Sequence, residues 1–257
     1  MKEQARAFLT AIMFYTRIPC PAWVDHSDEY LRKSRKYFPL IGWIVGGVSA
    51  LILYVMQFVF PLNVSILISI ITGVLLTGAF HEDGFADVCD AFGGAFTRER
   101  ILEILKDSRI GAYGAIGITL LLMLKFTVLL EIANIDLTTA CLVLIASHSL
   151  SRFSALTIVF SQKYVTDIAV SKSGSVVRGP AHLSEIVLSA LAGLAPLFLL
   201  NTWFILLTLI PVLMMRTYLA WFFRKWIDGY TGDCLGATQQ ICEVVFSTSV
   251  LALWKYF

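Results

Sequence analysis

From Tyr37 to Phe80 the chain runs without a single charged residue. Apolar stretches of about 20 residues match a bilayer core of about 30 Å. The pattern of such stretches predicts seven membrane-spanning helices, at 38–60, 64–80, 112–133, 138–160, 183–200, 202–223 and 235–254. Pro61-Leu62-Asn63 ends the first. The fifth and sixth are separated by Asn201 alone, and the sixth contains Pro211 and Arg216. Ala5 to Tyr15 is apolar but too short to span and contains Arg6. No small-residue cleavage site follows it, so it reads as an interfacial or packed helix and not as a signal peptide.

Composition agrees with this reading. Hydrophobic residues make up 58% of the 257 and charged residues 15%, against about 45–50% and 25% in an average soluble domain. The mean hydropathy is +0.77. The expected fold is therefore all-α: one polytopic membrane helical bundle of about seven transmembrane helices, residues 1–257 forming a single integral-membrane domain in a lipid bilayer. A net charge of +2 gives no argument for nucleic acid. Five cysteines, an odd number without a CxxC pair, argue against structural disulfides or a zinc site.

Lysine and arginine fall in alternate connections. They occur before the first span (Lys2, Arg6, Arg17, Arg32, Lys33, Arg35, Lys36) and between the second and third (Arg98, Arg100, Lys106, Arg109). They recur between the fourth and fifth (Lys163, Lys172, Arg178) and the sixth and seventh (Arg224, Lys225), whereas the seventh span sends the short C-terminus, with Lys255, to the outer side. The connections near Asn63, Asn134 and Asn201 carry none. Excess positive charge marks the cytoplasmic side. This predicts an integral protein of the inner membrane of a prokaryote, its long polar loops and active site facing the cytoplasm. The outer connections are too short to build a site, and no pair of interrupted helices suggests a transporter.

The chemistry concentrates in residues 81–111, an Asp-rich catalytic loop or helix. Asp83, Asp87 and Asp90 stand at i, i+4 and i+7, within about 60° of one helix face. Like charges on one stripe repel unless a cation lies between them, and hard oxygen ligands favour Mg²⁺. A solvated helix start would account for one or two acids. Glu82 points roughly 100° away. His81 is a candidate ligand-orienting group or base, with a structural donor as its plain alternative. Asp107-Ser108-Arg109 then precedes Gly111-Ala112-Tyr113-Gly114. Backbone amides beside Lys106 and Arg109 suit phosphate, whereas a helix break with close packing at Gly111 and Gly114 is the alternative. Asp107 is a candidate metal ligand or support. Asp233, in Thr231-Gly232-Asp233, either completes a metal shell or caps the next helix. Lys125, Arg152 and Arg216 lie within predicted spans, where charges cost at least about 2.5 kcal/mol. Arg152 is placed to reach an anionic substrate, Lys125 has Glu131 as a plain partner, and Arg216 can snorkel. Together these groups suggest metal-dependent phosphoryl or nucleotidyl transfer.

The stretch His81-Glu82-Asp83-Gly84-Phe85-Ala86-Asp87-Val88-Cys89-Asp90-Ala91-Phe92-Gly93-Gly94 resembles the H-x-D-G-L-A-D-x-x-D-G-x-G-G pattern of the cobalamin synthases, the adenosylcobinamide-GDP ribazoletransferases. Arg98-Glu99-Arg100, Lys106-Asp107-Ser108-Arg109-Ile110-Gly111-Ala112-Tyr113-Gly114, Thr231-Gly232-Asp233-Cys234-Leu235-Gly236-Ala237 and Phe38-Pro39-Leu40-Ile41-Gly42 are similar to further elements of that family. Phe85 replaces Leu, and Ala91 replaces Gly. The resemblance implies an enzyme that joins adenosylcobinamide-GDP to α-ribazole, or its 5′-phosphate, with Mg²⁺ as cofactor, and gives adenosylcobalamin, or its 5′-phosphate, and GMP. It implies Asp83, Asp87, Asp90 and Asp233 as metal ligands. Catalytic roles would fall to His81, Asp83, Asp87, Asp107 and Arg109, and contacts to the bound phosphates to Lys106, Arg109, Arg152, Gly111 and Gly114. A homo-oligomer or other cobamide-assembly enzymes are candidate partners. The rival enzyme reading is a CDP-alcohol phosphotransferase-like or other Mg-dependent membrane transferase with diphosphate substrates. The D-G-x-x-A-R start of the former is absent here.

Overall fold

A computed structural model of the chain describes residues 2–24, 27–165, 174–177 and 179–254. Lys172, Arg178 and Lys255 lie outside the described residues. The protein is helical: α1 (Lys2–Tyr15), α2 (Asp28–Ser34), α3 (Phe38–Met56), α4 (Leu62–Thr77), α5 (Phe80–Gly94) and α6 (Arg98–Ile104) form its first half. The second half comprises α7 (Ala112–Ile135), α8 (Leu137–Ser161), the single turn α9 (Gly174–Val177), α10 (Leu183–Leu194), α11 (Leu209–Ile227) and α12 (Gly232–Trp254). Among the described residues the one β-type pairing is an isolated bridge between Tyr164 and Tyr230.

Five helical segments are long and apolar enough to cross a membrane: Asp28–Met56, Ala112–Ile135, Leu137–Ser161, Leu183–Leu200 and Phe204–Ile227. A sixth results if Leu62–Thr77 and Phe80–Gly94, bent by 89°, are counted as one broken span. Seven were expected. The difference lies in 64–80 and 235–254. The first is a 16-residue helix, about 24 Å long at 1.5 Å per residue, that turns sharply before the acidic residues. The second sits within α12, where Gln239, Gln240 and Glu243 dilute the apolar pattern. The closely spaced fifth and sixth candidates are separate segments. Asn201 forms the corner between them in a left-handed conformation, φ 48°. Pro211 falls in the first turn of α11, where its missing N–H interrupts no helical bond. The N-terminal apolar stretch is the packed helix α1, which buries Ala7, Ala11 and Tyr15.

The bundle is built around α8. Its span is the most buried of the candidates, and it packs against α3, α12 and α10. Contact with α3 is backbone to backbone. A Cβ on Gly46 would come within 2.6 Å of the Leu144 carbonyl oxygen, and one on Gly42 would collide with that of His148. Small residues permit such close approach between membrane helices. Arg216 of α11 donates to the Thr157 carbonyl at 2.7 Å and to Ser161 Oγ at 2.6 Å. It thus sets a cation at the C-terminal end of α8, the favoured place for one.

The corner between α4 and α5 sets the site. Gly78 (φ 67°) and Ala79 (φ 57°) are both left-handed, which turns the chain through 89° over two residues. The apolar arm α4 ends there, and the polar arm α5 lies outside the apolar spans. Three contacts bring the same end of the bundle together. Gly84 of α5 packs on Asp233 at the start of α12. Asp90 reaches Gly111 and Gly114 at the mouth of α7. Val165 donates to the Tyr230 carbonyl at 3.0 Å, joining the exit of α8 to the entry of α12.

Candidate active site

Asp83, Asp87 and Asp90 all fall on α5, so the expected helical stripe is present. Glycines bring α12 onto it. A Cβ on Gly84 would stand 3.0 Å from Asp233 Cα, and one on Gly236 would stand 3.1 Å from the His81 carbonyl oxygen. The two backbones therefore cross in contact, and Asp233 joins the acids of α5. Burial, with repulsion from Asp233, Asp83 and Asp90, raises the Asp87 carboxyl to about 7. Asp233 is also raised, by burial first and with Asp83 adding, against a hydrogen bond from Thr231. Among the described residues none of these four carboxylates is paired with a lysine, arginine or histidine.

The fourth acid has a separate role. Asp90 is buried, and its two oxygens accept from Gly111 N at 2.7 Å and Gly114 N at 2.8 Å. A Cβ on either glycine would collide with that carboxylate. Asp90 thus caps α7 from a neighbouring helix. Gly111 and Gly114 were expected to offer amides to phosphate, but here those amides are engaged by Asp90. The close-packing alternative describes them better.

Asp107 and Arg109 form an exposed pair, with Arg109 Nη2 to Asp107 Oδ2 at 2.6 Å and Arg109 Nε to Oδ1 at 3.0 Å. The Arg109 hydrogen bonds lower the Asp107 carboxyl to about 2. Lys106 is exposed beside them. Gly111, held by Asp90, ties this cationic loop to the acidic stripe. Arg109 turns outward, its side chain 87% exposed.

Arg152 and His81 lie beneath this surface. Arg152 is 1% exposed, donates through Nη1 to the His148 carbonyl at 2.9 Å, and sits over the Phe38 ring. A phosphate contact through Arg152 therefore requires a ligand that enters the interior. His81 is 2% exposed, and burial, with Arg152 adding, pushes its pKa well below the ordinary value. His81 Nε2, Glu82 Oε2 and Arg152 Nε are buried and have no hydrogen-bond partner among the described residues.

Around them is a network that sequence reasoning only touched. Glu243 pairs with Lys125 at 2.8 Å and approaches His148 Nδ1 at 3.3 Å. It also accepts from Gln239 at 2.7 Å, while Gln240 donates to Glu82 at 2.8 Å. Lys125 thus uses Glu243, and Glu131 is exposed. The available signal was the spacing of Gln239, Gln240 and Glu243 inside an otherwise apolar helix.

The Mg²⁺ expected from the sequence can be tested against these groups. Among the described residues no three His, Cys, Asp or Glu side chains converge into a ready cage. Mg²⁺ does not need one, because it retains several waters and takes one or two carboxylates. Burial first, and then repulsion from Asp233, Asp83 and Asp90, raise Asp87 to about 7, and a cation among these acids would relieve both. The donor set fits.

Fold and site together define an all-α membrane protein with an uncompensated acid cluster and a cationic loop at one end of its bundle. A family profile described as cobalamin-5-phosphate synthase matches residues 7–251. The chain belongs to that family. It is 43% identical over 255 residues to the adenosylcobinamide-GDP ribazoletransferase of Shewanella amazonensis, covering 99% of this chain and 98% of that one. Proteins of the same description from Shewanella frigidimarina and Shewanella piezotolerans are 42% and 44% identical. They are covered over 96% and 94% of their lengths, which correspond to 98% and 95% of this chain. No solved structure matches the chain.

Proposed function

We propose that this protein joins adenosylcobinamide-GDP to α-ribazole, or to α-ribazole 5′-phosphate, and releases GMP. Full-length similarity to three proteins of that description supports the reading. The observation that carries the chemistry is the crowding of Asp83, Asp87 and Asp233 where α5 and α12 cross, without a neutralising side chain among the described residues. In this reading a ribazole hydroxyl attacks the phosphorus attached to cobinamide. The new P–O bond forms as the bond to the GMP oxygen breaks, and a carboxylate of the cluster accepts the hydroxyl proton. One or two of Asp83, Asp87 and Asp233, with waters, would hold Mg²⁺, whose charge would offset that of the diphosphate oxygens. Asp90 keeps the mouth of α7 against the cluster, and Lys106 and Arg109 attract the phosphates.

Arg98, Arg100, Lys106, Arg109, Lys163, Arg224 and Lys225 belong to connections at the end that carries the acids. Positive charge of this kind supports a cytoplasmic orientation in the inner membrane. The test is product analysis. Purified protein with adenosylcobinamide-GDP, α-ribazole and Mg²⁺ should release GMP and form adenosylcobalamin, and chelator should stop both. Absence of GMP with intact protein would refute the assignment.

A further inference from the structure

Arg17 is a cation that the proposed chemistry does not use. It follows α1 and lies on the corner between α4 and α5. Its backbone N–H donates to the Leu76 carbonyl at 2.7 Å. Its guanidinium rests against Gly78, where a Cβ would collide with Arg17 Nε and stand 2.9 Å from Nη2. The residues beside it hold the same corner. Phe14 stands edge-on to Phe80 at 5.8 Å, and Tyr15 edge-on to the same ring at 6.5 Å. Thr16 Oγ1 accepts from Ile18 N at 3.2 Å, which fixes the chain on both sides of Arg17.

The side chain itself is uncommitted. Arg17 is exposed, and its guanidinium makes no ion pair or hydrogen bond among the described residues. A cation at the end of α4 answers the helix dipole, and that is the plain reading of its place. The carbonyls that such a cation would cap are already engaged, however. Val74, Leu75 and Leu76 accept from Ala79 N at 2.9 Å, Gly78 N at 3.1 Å and Arg17 N at 2.7 Å. The guanidinium keeps its donors beside the start of the acidic helix. Asp83 N donates to the Ala79 carbonyl at 2.9 Å, so the first acid stands one helical turn, about 5.4 Å, along α5 from the corner.

The stripe therefore has cations at both ends. Lys106 and Arg109 stand at the α7 end, which Asp90 holds through Gly111 and Gly114. Arg17 stands at the α4 end. When the nucleoside is phosphorylated, the substrates carry a 5′-phosphate besides the diphosphate. The proposed function gives the diphosphate to the metal, Lys106 and Arg109, and leaves the 5′-phosphate without a partner.

We infer that Arg17 binds the 5′-phosphate of α-ribazole 5′-phosphate and so makes the phosphorylated nucleoside the preferred acceptor. The inference rests on the proposed function and chooses between the acceptors named there. Part of the ribose ring and one methylene separate the attacking hydroxyl from that phosphate, a reach comparable with one helical turn of about 5.4 Å. A nucleotide with its hydroxyl at Asp83 thus extends its phosphate to the corner. The planar guanidinium offers paired donors that match phosphate oxygens. A phospholipid headgroup offers the same chemistry, and the comparison of two acceptors separates the two sources.

Full-length protein in detergent is assayed for GMP release with α-ribazole 5′-phosphate and with α-ribazole. Wild type should favour the phosphorylated acceptor at least about tenfold in kcat/KM, the scale of a hydrogen-bonded charge pair. Arg17→Gln should lose that preference, chiefly through KM for the phosphorylated acceptor, and Arg17→Lys should keep part of it. Equal use of the two acceptors by the wild type overturns the inference, and this outcome needs no variant to fold. An unchanged preference in Arg17→Gln also overturns it, as a contact to lipid or a role confined to the α4 terminus would produce. So does a rise in KM for adenosylcobinamide-GDP alone, which would place the diphosphate at the corner. Should the wild type release no GMP with either acceptor, the functional reading fails by itself. Equilibrium dialysis of labelled α-ribazole 5′-phosphate against wild type and Arg17→Gln then still decides what Arg17 binds.

Discussion

Two groups of acids meet along the seam between α5 and α12, and they are treated in opposite ways. On the inner side Glu243 is buried and matched by Lys125 at 2.8 Å, with Gln239 completing its hydrogen bonds. On the outer side Asp83, Asp87 and Asp233 crowd together, and Asp87 is raised to about 7. A buried charge survives when paired and hydrogen-bonded. Charges that remain unpaired and repel must be explained by something other than folding. The comparison separates a part of the seam that holds the bundle together from a part that waits for a ligand.

Substitutions can break that comparison. The largest effect is expected from Asp83→Asn: a fall in turnover on the order of a thousandfold, equivalent to several kcal/mol of charge stabilisation, without loss of membrane insertion or thermal stability. GMP release and a melting curve in detergent measure the two separately. Wild-type activity in this variant would remove Asp83 from the reaction. Glu243→Ala is expected to do the reverse, destabilising the bundle by about 3–5 kcal/mol because Lys125 would be left buried and unpaired. An unchanged melting curve would mean that the inner network contributes nothing to the fold. Asp90→Ala should fall between the two, costing about 1.5–3 kcal/mol through its lost backbone hydrogen bonds. It distinguishes a structural member of the stripe from its ligand-binding neighbours, and a variant as stable as Asp83→Asn would abolish that distinction.

The smallest effect concerns the exposed loop. The Asp107 carboxyl is depressed from 3.8 to about 2 by Arg109. A depressed carboxylate stabilises the fold above its unfolded pKa, and the contribution is lost as pH falls through about 2. Arg109→Gln should return the Asp107 midpoint toward 3.8, followed by carboxyl NMR, with stability unchanged between about pH 5 and 8 because exposed pairs contribute little. A midpoint that stays near 2 would assign the shift to another group.

The difference between the two regions also explains what could be read from the chain. Asp83, Asp87 and Asp90 share a face through local helical geometry, so their stripe was legible. The nearness of Asp233 followed from topology, since alternate connections must return to the same end. Asp90's use as a cap was not legible, because it depends on how the mouth of α7 docks against α5. Nor was Glu243 as the partner of Lys125. Glu131 lies closer along the chain, but it is exposed, and tertiary packing of α7 against α12 decides the pairing. The apolar residues of 235–254 made it read as an ordinary span. The helix is there, but much of its polarity faces a buried network.

A metal titration tests the account most directly. Purified protein would be titrated with Mg²⁺ and with Mn²⁺ while heat of binding and melting temperature are followed, beside Asp83→Asn and Glu82→Gln. Saturable binding that raises the melting temperature, is abolished by Asp83→Asn and persists in Glu82→Gln is the expected result. Binding that survives Asp83→Asn unchanged, or no binding by the wild type, would contradict a cation site at the crossing of α5 and α12.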